Sequence, residues 1–310
     1  MKKLTINTDK KEYLPGDELK GELVLKLNKS LKHRALHVTA MGTEITRASY
    51  NDGEDRHHST ERREIIEYKN ELKGEGVFQP GTHKFPFSFE IPPDAPPSFR
   101  GVKGRIEYEI KAWVDLPFAF DVKDSQDLIV YHKSPRYRKL KSPYLISSVA
   151  FPMTGIPDFS MLDTGEDRKH PAMLAALEKT FYRSGKDINC KVLVSNPGGK
   201  RIRKLIVRLR GTEQVKAQGM SDHSRLEDHF KVLELDSTAE RHELEVCFSI
   251  PKGARSSLES QNCRFLWELK FELDVALGFD VGIKTDLRIH QSLTSARKTK
   301  KGHRRISCQK

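Results

Sequence analysis

The chain has 310 residues and a formal net charge of +12, with 32% charged and 8% aromatic residues, a composition that suits a soluble globular protein. No apolar run approaches the ~20 residues that would cross a bilayer. The opening Met1-Lys2-Lys3-Leu4 lacks the apolar core of a secretory leader.

In chain order, Lys2, Lys3, Lys10 and Lys11 bracket a first strand, and Pro15-Gly16-Asp17 then turns the chain. Gly21, Leu23 and Leu25 mark one strand, and Leu36, Val38 and Ala40, leading into Gly42-Thr43-Glu44, mark another. The polar stretch 51–60 reads as a surface loop. Gly74-Glu75-Gly76 and Pro80-Gly81 are turn signals, after which Phe85, Phe87, Phe89 and Ile91 alternate with polar residues up to Pro92-Pro93-Asp94. Ile106, Tyr108, Ile110, Ala112 and Val114 alternate with Glu107, Glu109 and Lys111. That pattern buries one face of a strand and wets the other, as antiparallel sheets permit.

Between 131 and 143 lie five basic residues, Lys133, Arg136, Arg138, Lys139 and Lys141, and no acid. The apolar Tyr144-Leu145-Ile146 and Val149-Ala150-Phe151 come next, so this interval is more than a plain linker. It is expected to add an edge strand or to pack in a cleft, and it is the one place where a short helix would fit. From there the first pattern returns. Gly21, Leu23 and Leu25 recur 169 positions on as Cys190, Val192 and Val194, and Gly42-Thr43-Glu44 recurs as Gly211-Thr212-Glu213. Later the offset is 159. Ile91-Pro92 returns as Ile250-Pro251, Ser98-Phe99 as Ser257-Leu258, Ile106 to Val114 as Phe265 to Leu273, and Phe120-Asp121-Val122 as Phe279-Asp280-Val281. A repeat this long is a duplicated domain. The ten missing residues fall most simply in 51–60. Short strands, turns and no long helix predict an all-β chain of two tandem antiparallel β-sandwiches over 1–131 and 172–292, joined by a linker over 132–171 and followed by a basic tail over 293–310.

The motifs support a family resemblance. Tyr13-Leu14-Pro15-Gly16-Asp17, Gly21-Glu22-Leu23, the strand into Gly42-Thr43-Glu44, the run Phe85 to Pro92, and Pro96-Pro97-Ser98-Phe99-Arg100-Gly101 with Ile106 to Ala112 resemble the arrestin amino-terminal domain. Glu178-Lys179-Thr180-Phe181-Tyr182 with Gly185, and Val192 to Pro197, resemble the carboxy-terminal one. The resemblance implies immunoglobulin-like, arrestin-type sandwiches and a non-catalytic adaptor in sorting or trafficking. Its partners would be cytoplasmic tails of membrane proteins, acidic or phosphorylated, or other trafficking proteins. The resemblance places Lys2, Lys3, Lys10 and Lys11 where basic residues would read such a tail. Pro96-Pro97-Ser98-Phe99 is one residue short of a ligase-recruiting PPxY peptide, and Phe99 reads instead as an inward anchor.

No catalytic motif assembles, and no cofactor is expected. Gly198-Gly199-Lys200-Arg201 echoes a phosphate loop, but Val194 and Arg201 break the pattern, so it reads as a hairpin turn. Two histidine-acid clusters, Asp52, Glu54, Asp55, His57 and His58, and Asp222, His223, Glu227, Asp228 and His229, read as solvated loop ends and not as metal sites. Cys190, Cys247, Cys263 and Cys308 form no close pair or zinc spacing, which points to a reduced, cytoplasmic protein. The tail over 294–310 holds seven basic residues and no acid, so linker and tail together carry the whole charge excess. Arg297, Lys298, Lys300, Lys301, Arg304 and Arg305 would dock peripherally on an anionic membrane, each worth about 1 kcal/mol. Nucleic acid is the alternative partner for the same charges. Arg304-Arg305-Ile306-Ser307 reads as a phosphorylation site at Ser307, whose phosphate would cancel nearly two of those charges.

Overall fold

The computed structural model describes residues 2–51, 53, 55–117, 119–131, 142–150, 156–162 and 169–291, most of them in β-strands. The first half runs β1 (Lys2–Thr8), β2 (Glu12–Tyr13), β3 (Glu18–Leu27), β4 (Leu31–His33), β5 (Ala35–Asn51), β6 (Arg56–Lys73), β7 (Gly76–Phe78), β8 (Gly81–Glu90), β9 (Phe99–Arg100), β10 (Gly104–Asp115) and β11 (Val122–Val130). One sheet orders β1-β3-β8 and faces a second ordered β2-β11-β10-β5-β6, with β9 on β10 and a small β4-β7 pair alongside. The second half runs β12 (Tyr144–Ser147), β13 (Ala172–Leu177), β14 (Phe181–Arg183), β15 (Asp187–Ser195), β16 (Ile202–Ala217), β17 (Met220–Ser237), β18 (Arg241–Ser249), β19 (Leu258–Glu259), β20 (Cys263–Val275) and β21 (Val281–His290). Its sheets order β12-β13-β15-β18 and β14-β21-β20-β16-β17, with β19 on β20. The chain divides into two compact units, one of Met1–Lys133, Gln214–His223 and Leu258–Arg264, the other of Ser134–Glu213, Ser224–Ser257 and Phe265–Lys310.

The alternation read from sequence becomes burial. Ile106, Tyr108, Ile110, Ala112 and Val114 are all buried, as are Phe265, Trp267, Leu269, Phe271 and Leu273. Each large apolar side chain so removed from water contributes about 1.5–3 kcal/mol. The repeated Gly-Thr-Glu has a packing cause. Gly42 pairs with Tyr108 across β5 and β10, and a Cβ at Gly42 would stand 2.6 Å from the tyrosine ring. At Gly211 the ring of Phe265 would be equally close. Tyr108 and its counterpart Trp267 are tethered alike, Tyr108 Oη donating to the Pro96 carbonyl at 2.6 Å and Trp267 Nε1 to that of Arg255 at 3.0 Å. Ser98 Oγ accepts from Val130 N–H and Ser257 Oγ from Ile289 N–H. Phe99 and Leu258 beside them are buried, so the Pro-Pro-Ser-Phe segment is a brace in the fold.

Several expectations are corrected. The stretch 51–60 and the cluster from Asp222 to His229 are not loops in the main, because β5–β6 and β16–β17 are long strands that carry polar side chains out to their hairpin tips. The length difference is therefore shared. The first hairpin closes between Asn51 and Arg56 and the second between Ala217 and Met220, while residues 74–80 join β6 to β8 and only 238–240 join β17 to β18. Gly198-Gly199 closes no hairpin, since β15 and β16 belong to different sheets and the turn carries the chain from one to the other. Each sandwich also holds one parallel pair, β2 with β11 and β14 with β21. Of the two openings left for the interval after 143, the structure takes the added strand. β12 pairs antiparallel with β13, and a single 3-10 turn, Phe159–Met161, packs Phe159 and Met161 against a cluster that includes Leu145, Leu162, Leu174 and Leu193.

Candidate functional site

The two halves differ most beside their first long strands. β13 occupies in the second half the place that β1 holds in the first, each pairing with the next long strand, β15 or β3. On its other edge β13 carries β12, in the register Tyr144↔Leu177 to Ser147↔Leu174. Among the described residues no strand pairs with the corresponding edge of β1. Side chains from β11 fill part of that slot. Asp124 Oδ2 accepts the Ile6 N–H at 2.8 Å, and Gln126 Nε2 donates to Thr8 Oγ1 at 2.7 Å.

These two side chains are polar at core-facing positions. Asp124 pairs with Ala112 and Gln126 with Ile110, both buried. At the equivalent places β21 has Ile283 and Thr285, opposite Phe271 and Leu269, and both are buried. Thr285 Oγ1 lies 3.4 Å from the Tyr144 hydroxyl of β12. The second copy is thus sealed where the first stays wet. A polar side chain costs little there because the position is only half-buried, and it caps an edge amide that would otherwise lack a partner.

The predicted lysines fall at the two ends of this edge. Lys2 and Lys3 open β1, exposed, with Lys3 opposite Lys26 in the β1–β3 register. Lys10 and Lys11 lie in the connection to β2. Lys10 Nζ is 3.6 Å from Asp17 Oδ2 and 5.7 Å from the Tyr13 ring centre, and the Lys11 carbonyl accepts from Ile129 N–H. The four do not cluster; a seven-residue strand, about 20 Å long, separates the pairs. A second, closed polar network surrounds Asp222. Burial opposes its ionisation, but Lys103, the Ser49 hydroxyl, and the N–H groups of Ser49 and His223 hold its carboxyl well below the usual carboxylate range. Nearby, Glu61 accepts from Gln218 N–H at 2.7 Å and Asn262 Nδ2 at 2.6 Å.

The other candidate residues are scattered over the fold. His57 and His58 lie in β6, while Asp52 and Glu54 are outside the described residues. Asp222, His223, Glu227, Asp228 and His229 lie along β17, where Glu227 bonds Arg255 and His229, and Asp228 faces Arg225. Among the described residues no group of three His, Cys, Asp or Glu gathers as a metal site would require. No described helix is long and apolar enough to cross a membrane. Lys133, Arg136, Arg138, Lys139 and Lys141 of the linker lie outside the described residues. So do Arg297, Lys298, Lys300, Lys301, Arg304, Arg305, Ser307 and Cys308 of the tail. Sequence reasoning missed Asp124 and Gln126. The signal was there in the repeat, where polar residues face apolar ones at a core-facing pair of positions.

Comparison with known proteins bears on the first half. Residues 3–134 match the family model described as arrestin (or S-antigen), N-terminal domain. Over 124 residues the chain is 36% identical to arrestin domain-containing protein 1 of Rattus norvegicus, covering 40% of this chain and 27% of the relative. The Homo sapiens protein of that name is 33% identical over 129 residues, 40% of this chain and 27% of the relative. Arrestin domain-containing protein 17 of Caenorhabditis elegans is 24% identical over 132 residues, 38% of this chain and 31% of the relative. The matched stretch thus spans roughly a quarter to a third of these relatives' own length.

Proposed function

The chain is arrestin-like, with an arrestin amino-terminal domain over residues 3–134, and from that premise we propose a non-catalytic adaptor that captures extended peptide segments of membrane proteins. One observation carries this reading: the slot beside β1 is the one that β12 fills beside β13. A partner segment enters there as a further antiparallel strand, gaining main-chain hydrogen bonds along β1. To do so it displaces Asp124 from the Ile6 amide. The segment is acidic or phosphorylated, because Lys2 and Lys3 wait at one end of the slot and Lys10 and Lys11 at the other. The basic tail, Arg297 to Arg305, adds attraction to an anionic membrane on which such a partner resides.

The test is a fluorescence-anisotropy titration with a labelled acidic peptide, phosphorylated or not. The phosphorylated peptide should bind more tightly. The double change Lys2→Glu with Lys3→Glu, and Lys10→Glu with Lys11→Glu, should each weaken binding about tenfold or more, as loss of charge-assisted hydrogen bonds implies. Affinity indifferent to both pairs would remove β1 from the mechanism. Tight binding to a duplex oligonucleotide, with a steep salt slope, would favour nucleic acid as partner instead.

A further inference from the structure

The β10–β11 hairpin ends in an exposed aromatic that peptide capture does not use. Phe120 is 96% exposed. Its turn is braced, because Asp121 Oδ1 accepts the Leu116 N–H at 3.2 Å and Leu116 itself is buried in the core. The phenylalanine is therefore held out of the fold by its neighbours. The same build recurs in the second half, where Asp280 Oδ1 accepts the Val275 N–H at 3.1 Å and Phe279 is 91% exposed. Exposing a side chain of this size forgoes the burial free energy that placed Phe87, Phe89, Phe99, Phe248, Phe265 and Phe271 inside.

The charge around Phe120 is basic. β1 and β11 run side by side in one direction, as the Ile6–Asp124 and Thr8–Gln126 contacts fix, so the start of β1 lies beside the tip. Lys2 and Lys123 line, with Ala119, Phe120, Asp121 and Val122, an open concavity of about 850 Å³. Neither lysine has an ion-pair partner among the described residues. Asp121, the one acid in the lining, spends a carboxylate oxygen on the Leu116 amide.

We propose that this tip is a lipid-docking element, Phe120 entering the headgroup and acyl boundary of an anionic bilayer while Lys2 and Lys123 pair with its headgroups. An aromatic that is 96% exposed and flanked by cations suits a fluid interface that closes around it, and aromatic rings are favoured at that depth. A protein partner would instead have to supply a fitted pocket for it. The element acts independently of the tail and shares only Lys2 with peptide capture, so the variants that test it are at Phe120 and Lys123.

The experiment uses the full chain and sedimentation with phosphatidylcholine vesicles, with and without phosphatidylserine. Binding should require phosphatidylserine and fall with salt. Phe120→Asp should lower the partition coefficient about tenfold, and Lys123→Ala about fivefold, with melting temperatures unchanged. Phe120→Trp should give a blue-shifted emission that brominated acyl chains quench. Loss of binding on removal of 294–310, with Phe120→Asp neutral, would overturn the tip and leave the tail reading standing. Vesicle-bound Phe120→Trp without a blue shift or quenching would also overturn it, as would an absence of any vesicle binding.

Discussion

Glu44 is a carboxylate taken out of water, 1% exposed, and it is held there by the Arg63 guanidinium with Nε 2.8 Å from Oε2 and by the Ser260 hydroxyl. Removing one member of such a pair strands the other charge in a poor solvent. Arg63→Ala should therefore cost about 3–5 kcal/mol, read as a drop in the denaturant midpoint, whereas changing Arg100, paired with Glu107 in solvent, should cost under about 1 kcal/mol. Asp222 makes an acid-sensitive counterpart. Its pKa is lowered in the folded protein, so its contribution is fully present above the unfolded value of about 4 and is lost progressively as the pH falls from there toward the lower folded value. Melting temperature should then fall more steeply below about pH 4 in the native chain than in Asp222→Asn, measured by circular dichroism. Equal slopes would mean that the network around Ser49 and Lys103 does not couple to folding.

At the scale of strands, β12 and the edge of β1 are the same problem solved twice. Leu145 and Ile146 of β12 are buried, and all six residues of β13 are buried with them. On β1 only Leu4 and Ile6 point inward to burial, while Lys3 and Asn7 face water. Asp124→Ala should free the Ile6 amide and raise affinity for the acidic peptide about fivefold, at a stability cost of about 1–2 kcal/mol. An unchanged affinity would place the peptide elsewhere. The strand interiors were legible because a period of two survives in β10 and β20, where one face is wholly buried. The outer parts of β5, β6 and β17 were not. At 16 to 18 residues the hairpin strands run beyond the core, so neither face need be apolar and the alternation that marks a strand disappears.

For the whole molecule, duplication was readable because the constraints that keep each sandwich closed are local and repeated. The glycine under an aromatic ring, the tethered aromatic and the serine brace all recur at matched positions. The candidate site was legible only as four lysines. What distinguishes it is a strand that, among the described residues, pairs beside β13 and not beside β1, and the only mark of it in the sequence is Asp124 and Gln126 where the second copy has Ile283 and Thr285. Pairing across sheets depends on contacts far apart in sequence, such as Ile6 with Asp124, which spacing alone does not give.

An unclaimed strand edge is also a hazard, because identical molecules can zip together through it. Here the carboxylate turned inward at Asp124 and the like charges at Lys2, Lys3, Lys10 and Lys11 make the edge a poor match for another copy of itself. The same residues that would welcome an oppositely charged guest thus discourage self-assembly, so a chain crowded at high concentration should stay dispersed until that guest arrives.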